Sequence, residues 1–106
     1  MDGDDERLRG GGKGMKFVLL YESADDVMAR APAVYPRPLA RIREFHARGE
    51  ILMVGTFGDP QSQGAMAIFP TRESAEAFVA DDPFRLEGVI KSHEIREWNE
   101  ILSPDA

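Results

Sequence analysis

The chain has no cysteine. That excludes a disulfide framework, a thiolate zinc site and a cysteine nucleophile, and it suits a reducing cytosol, so a cytoplasmic location is expected. Histidine is scarce as well. The two present, His46 and His93, lie on separate stretches without the HxH or HxxxH spacing that brings two imidazoles to one ion, so no metal site is expected. No apolar run approaches the roughly 20 residues of a membrane-spanning helix, and the acidic start with Gly10-Gly11-Gly12 lacks the basic and apolar regions of a secretory signal. Positive charge is in deficit. Thirteen Lys and Arg against 19 Asp and Glu leave a formal charge of -6, which repels phosphate backbones, and no Lys/Arg stripe reverses this locally. Nucleic acid and anionic membranes are therefore disfavoured as partners. A phosphate cradle is missing too, because Gly55 and Gly58 bracket Thr56-Phe57 outside a strand-loop-helix setting, and no cofactor is expected.

What remains is a chain of 106 residues, enough for one small domain, with an ordinary apolar content of 42%. A core this thin favours oligomerisation. Residues 1–14 carry four acids, three bases and a glycine run with Leu8 as the one large apolar residue after Met1, so they read as a disordered tail. Met15 is a candidate translational start. Residues 15–102 form the folded unit, and 103–106 a short C-terminal tail.

Within the unit, Phe17-Val18-Leu19-Leu20-Tyr21 is a continuous run of strand formers, which predicts a strand covered on both faces. Ser23 and Asp26 resemble a capping box opening a short helical piece that Pro32 ends. Leu39, Ile42 and Phe45 then recur at helical spacing, with Pro38 in the first turn and Gly49 as the stop. Glu50 to Phe57 and Gln63 to Pro70 read as two strands of a hairpin turned at Gly58-Asp59-Pro60. Thr71 caps a helix whose inward face is Ala75, Phe78 and Val79. Asp82-Pro83 starts one further turn up to Gly88, and Val89 to Trp98 is the last strand. The order βαββαβ predicts an α+β, ferredoxin-like fold: a four-stranded antiparallel sheet with two helices on one face. Both parities of the first strand are apolar, and so are Ile51 and Met53 against Leu52 and Val54. The bare sheet face is therefore expected to bury against a second copy, giving a homodimer.

Three stretches, in order, carry a family resemblance. They are Lys16-Phe17-Val18-Leu19-Leu20-Tyr21, the passage Leu39-Ala40-Arg41-Ile42 through Gly49-Glu50-Ile51-Leu52-Met53-Val54-Gly55, and Asp82-Pro83-Phe84 with Gly88-Val89. On these the chain from Met15 to Leu102 resembles the YciI-like (YCII-related) proteins. The resemblance implies a dimeric α+β barrel, and a site made of a first-helix histidine and the aspartate of the Asp-Pro motif. It also implies kinship with lyases acting on substituted aromatic rings, although most relatives have no assigned reaction. Asp82 stands at the aspartate position. Pro38 stands where relatives carry the histidine, so the His-Asp dyad is incomplete and its acid/base step does not carry over.

Asp82 has two compatible readings, a catalytic carboxylate or an N-cap whose oxygen accepts backbone N–H bonds at a proline-led helix start. His93, among Lys91, Glu94 and Arg96, is a weaker catalytic candidate, with a cross-strand pair as its plain role. His46 belongs on a helix flank near its C-terminus. Arg37 and Arg41, four apart, share a helix face where a carboxylate ligand can be held, or are solvated charge. Tyr21, Met53, Thr56 and Phe57 line a pocket between sheet and helix or simply fill the core, and Phe84 joins the binding set. Two functions stay open: a small-molecule-binding or accessory homodimer without the complete dyad, and a lyase, isomerase or hydrolase of a small organic substrate, aromatic ones included, with Asp82 as acid or base.

Overall fold

A computed structural model describes residues 14–34 and 37–102. Of the tails expected over residues 1–14 and 103–106, all but Gly14 lie outside the described residues, as does Pro36 before the second helix. Gly14 is inside them, and its carbonyl accepts from Glu100 N, which follows the last strand at the same end of the sheet.

In chain order the elements are β1 (Met15–Ser23), α1 (Val27–Val34), α2 (Arg37–Ala47), β2 (Met53–Thr56), α3 (Pro60–Gln63), β3 (Ala65–Phe69), α4 (Arg72–Ala80), α5 (Pro83–Leu86) and β4 (Ile90–Asn99). The four strands form one antiparallel sheet in the order β2-β3-β1-β4. This is the ferredoxin-like α+β arrangement, with β1 central and the longest contact made by β1 with β4. Register sets Leu19 against Ala67 and Ile95, and Tyr21 against Ala65 and His93.

The helices cover one face. Leu19, Tyr21, Ala67 and Phe69 are buried there with Ile51, Phe45 of α2 and Ala75, Phe78 and Val79 of α4. Phe45 and Phe78 meet edge to face at 5.2 Å, a packing that fixes the crossing of the two longer helices on the sheet. Val18 and Leu20 of β1, with Met66 and Ile68 of β3, alternate with the buried set and occupy the opposite face, where they are only half-buried. Met53 and Trp98 extend that face and are 66% and 47% exposed.

Several local expectations need correction. Pro32 lies inside α1, which runs on to Val34; a proline there keeps a helical φ and removes one N–H near the end of the helix. No capping box forms at Ser23. It closes β1 and its hydroxyl donates to the Pro60 carbonyl, while the Asp26 carbonyl accepts the first helical bonds from Ala29 and Arg30. The second strand is shorter than the apolar pattern, because Ile51 turns into the core and only Met53–Thr56 pairs as a strand. The hairpin connection contains α3 rather than a tight turn. Asp59 caps it, accepting from Gln61 N and the Ser62 hydroxyl, and Gln63 Oε1 accepts in return from Asp59 N.

Two glycines have positive φ for different reasons. Gly49 (φ 74) ends α2, with Glu50 N bonded to Phe45 O and Gly49 N to His46 O, the paired bonds of a Schellman terminus. A Cβ there meets nothing within 4 Å. Gly64 (φ 78) precedes β3, and a Cβ there would run into the Tyr21 carbonyl. Gly49→Ala should therefore cost only the conformational penalty of about 1–2 kcal/mol. Gly64→Ala adds a backbone clash and should lower the urea midpoint at least twice as far. Equal losses in urea unfolding would refute the close approach at Gly64.

Candidate functional site

The site begins at a junction of helix ends. α4 stops at Ala80 and α5 starts at Pro83, so Asp81 and Asp82 lie between a C-terminus and an N-terminus. Asp82 is the N-cap of α5: Oδ1 accepts from Phe84 N at 3.0 Å, and Pro83 occupies the first helical position, where no donor is lost. Its other oxygen, Oδ2, accepts from the Tyr21 hydroxyl at 2.5 Å. The carboxylate is 1% exposed, deeper than a cap alone requires. Burying a charge is tolerated only when its lone pairs are met, and here both oxygens are.

The carbonyl end of α4 is met by two arginines. Arg41 of α2 donates to Phe78 O (2.9 Å) and Ala77 O (3.2 Å), its guanidinium lying 5.0 and 5.1 Å from the ring centres of Phe45 and Phe78. Arg85 donates from Nε to Val79 O and from Nη2 to Ala80 O, both at 2.8 Å. Cations at a helix C-terminus satisfy orphan carbonyls and complement the dipole. Burial, and after it the charge and hydrogen bond of Asp82, raise the Tyr21 phenol far above its ordinary value of about 10, against the opposing pull of Arg41 and Arg85.

Beside this junction a cavity of about 320 Å³ opens between the sheet and α1 and α5. Its apolar wall includes Val27, Ala31, Phe84, Val89 and Ile90, of which Val27 and Val89 are buried and form a small cluster apart from the main core. The hydroxyl-bearing residues in its lining are Tyr21, Ser23 and Thr56.

Of the residues singled out from sequence, the structure brings Tyr21, Thr56 and Phe84 to this cavity and sets Asp82 behind Tyr21. Met53 and Phe57 lie outside it, on a shallow depression with Met66 and Ile68. Arg37 and Arg41 form no joint clamp: Arg37 pairs with Glu87 at 3.2 Å on the surface, and Arg41 is bound to α4 carbonyls. His93 is exposed opposite Tyr21 in the register and outside the cavity lining. His46 is exposed on α2, and Pro38 is buried. Among the described residues no group of three His, Asp or Glu is placed to hold a metal, and no helix is long and apolar enough to cross a membrane. Sequence reasoning missed Ser23, Val27 and Ala31 as cavity residues, since the same pattern serves an ordinary amphipathic helix.

The raised Tyr21 pKa has a direct readout. The unfolded chain ionises this phenol near its ordinary value while the folded chain keeps the proton, so the stability it contributes is intact below pH of about 10 and falls as pH rises beyond. The 295 nm titration difference between wild type and Tyr21→Phe should show no step near pH 10, only one coincident with alkaline unfolding. A step at the ordinary value would show that the Asp82 bond does not hold the proton.

A profile of the YCII-related domain matches residues 15–99. Comparison with curated proteins found no match. Among solved structures the chain is similar to 5-chloro-2-hydroxyhydroquinone dehydrochlorinase (TftG) from Burkholderia phenoliruptrix AC1100, in complex with 2,5-dihydroxybenzoquinone, with a TM-score of 0.57 and 19% identity over 80% of this chain and 93% of that one. It is also similar to protein Atu4242 from Agrobacterium tumefaciens, with a TM-score of 0.54 and 14% identity over 85% of this chain and 97% of that one. At these identities the likeness concerns the fold alone. With the matched profile running from the first residue of β1 to the last of β4, the chain belongs to the YCII-related domain family.

Proposed function

We propose that this protein binds a small, ring-sized and largely apolar organic molecule in the cavity between the sheet, α1 and α5, and that it does so as a cytoplasmic homodimer. The observation that carries the reading is the cavity itself: about 320 Å³, apolar over most of its wall, with the Tyr21 hydroxyl fixed by Asp82. Pockets for small ligands have this make-up, a hydrophobic lining with few oriented polar groups. The volume suits a single ring, and a fold neighbour is known with 2,5-dihydroxybenzoquinone.

Binding is favoured over turnover by what the lining lacks. Among the described lining residues Tyr21 is the one titratable side chain, and Asp82 reaches the cavity only through it. Acid/base chemistry usually needs a second group poised near neutral pH, and Pro38, at the family's histidine position, has none. A catalytic reading keeps one specific support, the Tyr21–Asp82 bond as a proton path. In a lyase, isomerase or hydrolase of a small substrate, Asp82 would take the proton that Tyr21 receives from the substrate.

Titration of nitrogen-15-labelled protein with benzyl alcohol should shift the amides of Ala31, Ala65 and Val89 with millimolar or tighter affinity. Ala31→Phe should fill the cavity and abolish those shifts while keeping the spectrum of a folded protein. Shifts that persist in Ala31→Phe would place the probe elsewhere and remove the reading.

The homodimer rests on the second sheet face, where Val18, Leu20, Met66 and Ile68 stay half-buried and Met53 and Trp98 exposed. A second copy would cover this face and bury at least about 1,000 Å² in total. Light scattering at micromolar concentration should give twice the chain mass, and Leu20→Glu should halve it. A monomeric wild type would overturn this part.

A further inference from the structure

The direction of the hydrogen bonds around the cavity selects what its occupant must offer. Tyr21 has one hydroxyl proton, and it goes to Asp82 Oδ2 at 2.5 Å. Asp82 cannot reverse that bond as a carboxylate, because it has no proton and Oδ1 is already the acceptor of Phe84 N. Ser23 is in the same position: its hydroxyl proton goes to the Pro60 carbonyl at 2.7 Å. Two of the three hydroxyls in the lining have thus given their protons to protein acceptors. What Tyr21 and Ser23 have left for an occupant is lone pairs.

We infer that the cavity is specific for hydrogen-bond donors: it takes neutral ring compounds bearing a hydroxyl or amino group and discriminates against carbonyl, ether and carboxylate analogues of the same size. An acceptor brought to the Tyr21 oxygen faces lone pair against lone pair in an apolar surrounding, where an unmet polar atom is expensive. Thr56, the third hydroxyl, has no hydrogen-bond partner among the described residues and can serve either sense, so the selectivity belongs to the Tyr21 end. The inference rests on the cavity reading above and adds the sign of its polar contact.

The carboxylate sets that sign, which makes it reversible by one atom. In Asp82→Asn the amide oxygen keeps the bond from Phe84 N, and the amide nitrogen then donates to the Tyr21 oxygen. The phenol proton is released toward the cavity, and an acceptor becomes welcome. Cyclohexanol and cyclohexanone, nearly equal in shape, are the probes, titrated into nitrogen-15-labelled protein. Wild type should bind the alcohol about tenfold more tightly than the ketone, on the usual scale of a mismatched buried hydrogen bond. Asp82→Asn should bring the ketone up to near the alcohol, and Tyr21→Phe should bring the alcohol down to near the ketone. Because each comparison is between probes in one variant, the contribution of Thr56 cancels. Equal affinities in wild type, or a preference unchanged in Asp82→Asn, would overturn this inference while leaving the cavity reading in place. Failure of both probes to shift the cavity amides would overturn both.

Discussion

The buried bond between Tyr21 and Asp82 joins parts of the chain 61 residues apart, the central strand and the start of the last short helix. Everything near the cavity depends on it. Without the tyrosine, a carboxylate that is 1% exposed would have an unmet oxygen; without the aspartate, a buried hydroxyl and the first N–H of α5 would both be orphaned. Breaking either side therefore costs more than the net worth of one hydrogen bond, since the partner's desolvation is no longer offset. The same bond sets α5, and with it Phe84, against the sheet.

The helix ends around it follow from a related constraint. Ending α4 and starting α5 within three residues leaves a cluster of carbonyls beside a cluster of N–H groups that need partners. Asp82 answers the N–H side, and Arg41 and Arg85 answer the carbonyl side. Negative carboxylate and carbonyl ends are thereby bracketed by two guanidinium groups, one of which also lies over the aromatic pair that packs α2 on α4. Arg41 is in consequence a packing and capping residue, and a charge that reads as ligand-binding from its spacing is absorbed by the fold.

The architecture was legible in the sequence because its signals are local. The apolar spacing Leu39, Ile42, Phe45 with Gly49 foretold α2, Thr71 with Ala75 and Phe78 foretold α4, and Asp82-Pro83 foretold α5 as the structure has them. Errors arose where tertiary demands override local pattern. Ser23 looks like a cap but closes a strand by bonding to Pro60, and Asp59-Pro60 looks like a turn but starts a helix. Of the site, Asp82 as cap could be read directly. Its tyrosine partner could not, since nothing in the spacing of Tyr21 and Asp82 signals that a strand and a helix end will meet, and the separation of Arg41 from any ligand role rests on carbonyls that no sequence pattern marks.

One carboxylate here does two jobs, holding a helix start and orienting the polar group of a cavity. Selection for folding alone is then sufficient to keep an aspartate before Pro83, whatever becomes of the chemistry beside it. A lineage can lose or exchange its reaction while the residue that looks most like a catalyst stays in place. In this chain the Asp82-Pro83 pair is accordingly a record of how the chain folds first, and of what it acts on only when a proton-transfer partner faces the same cavity.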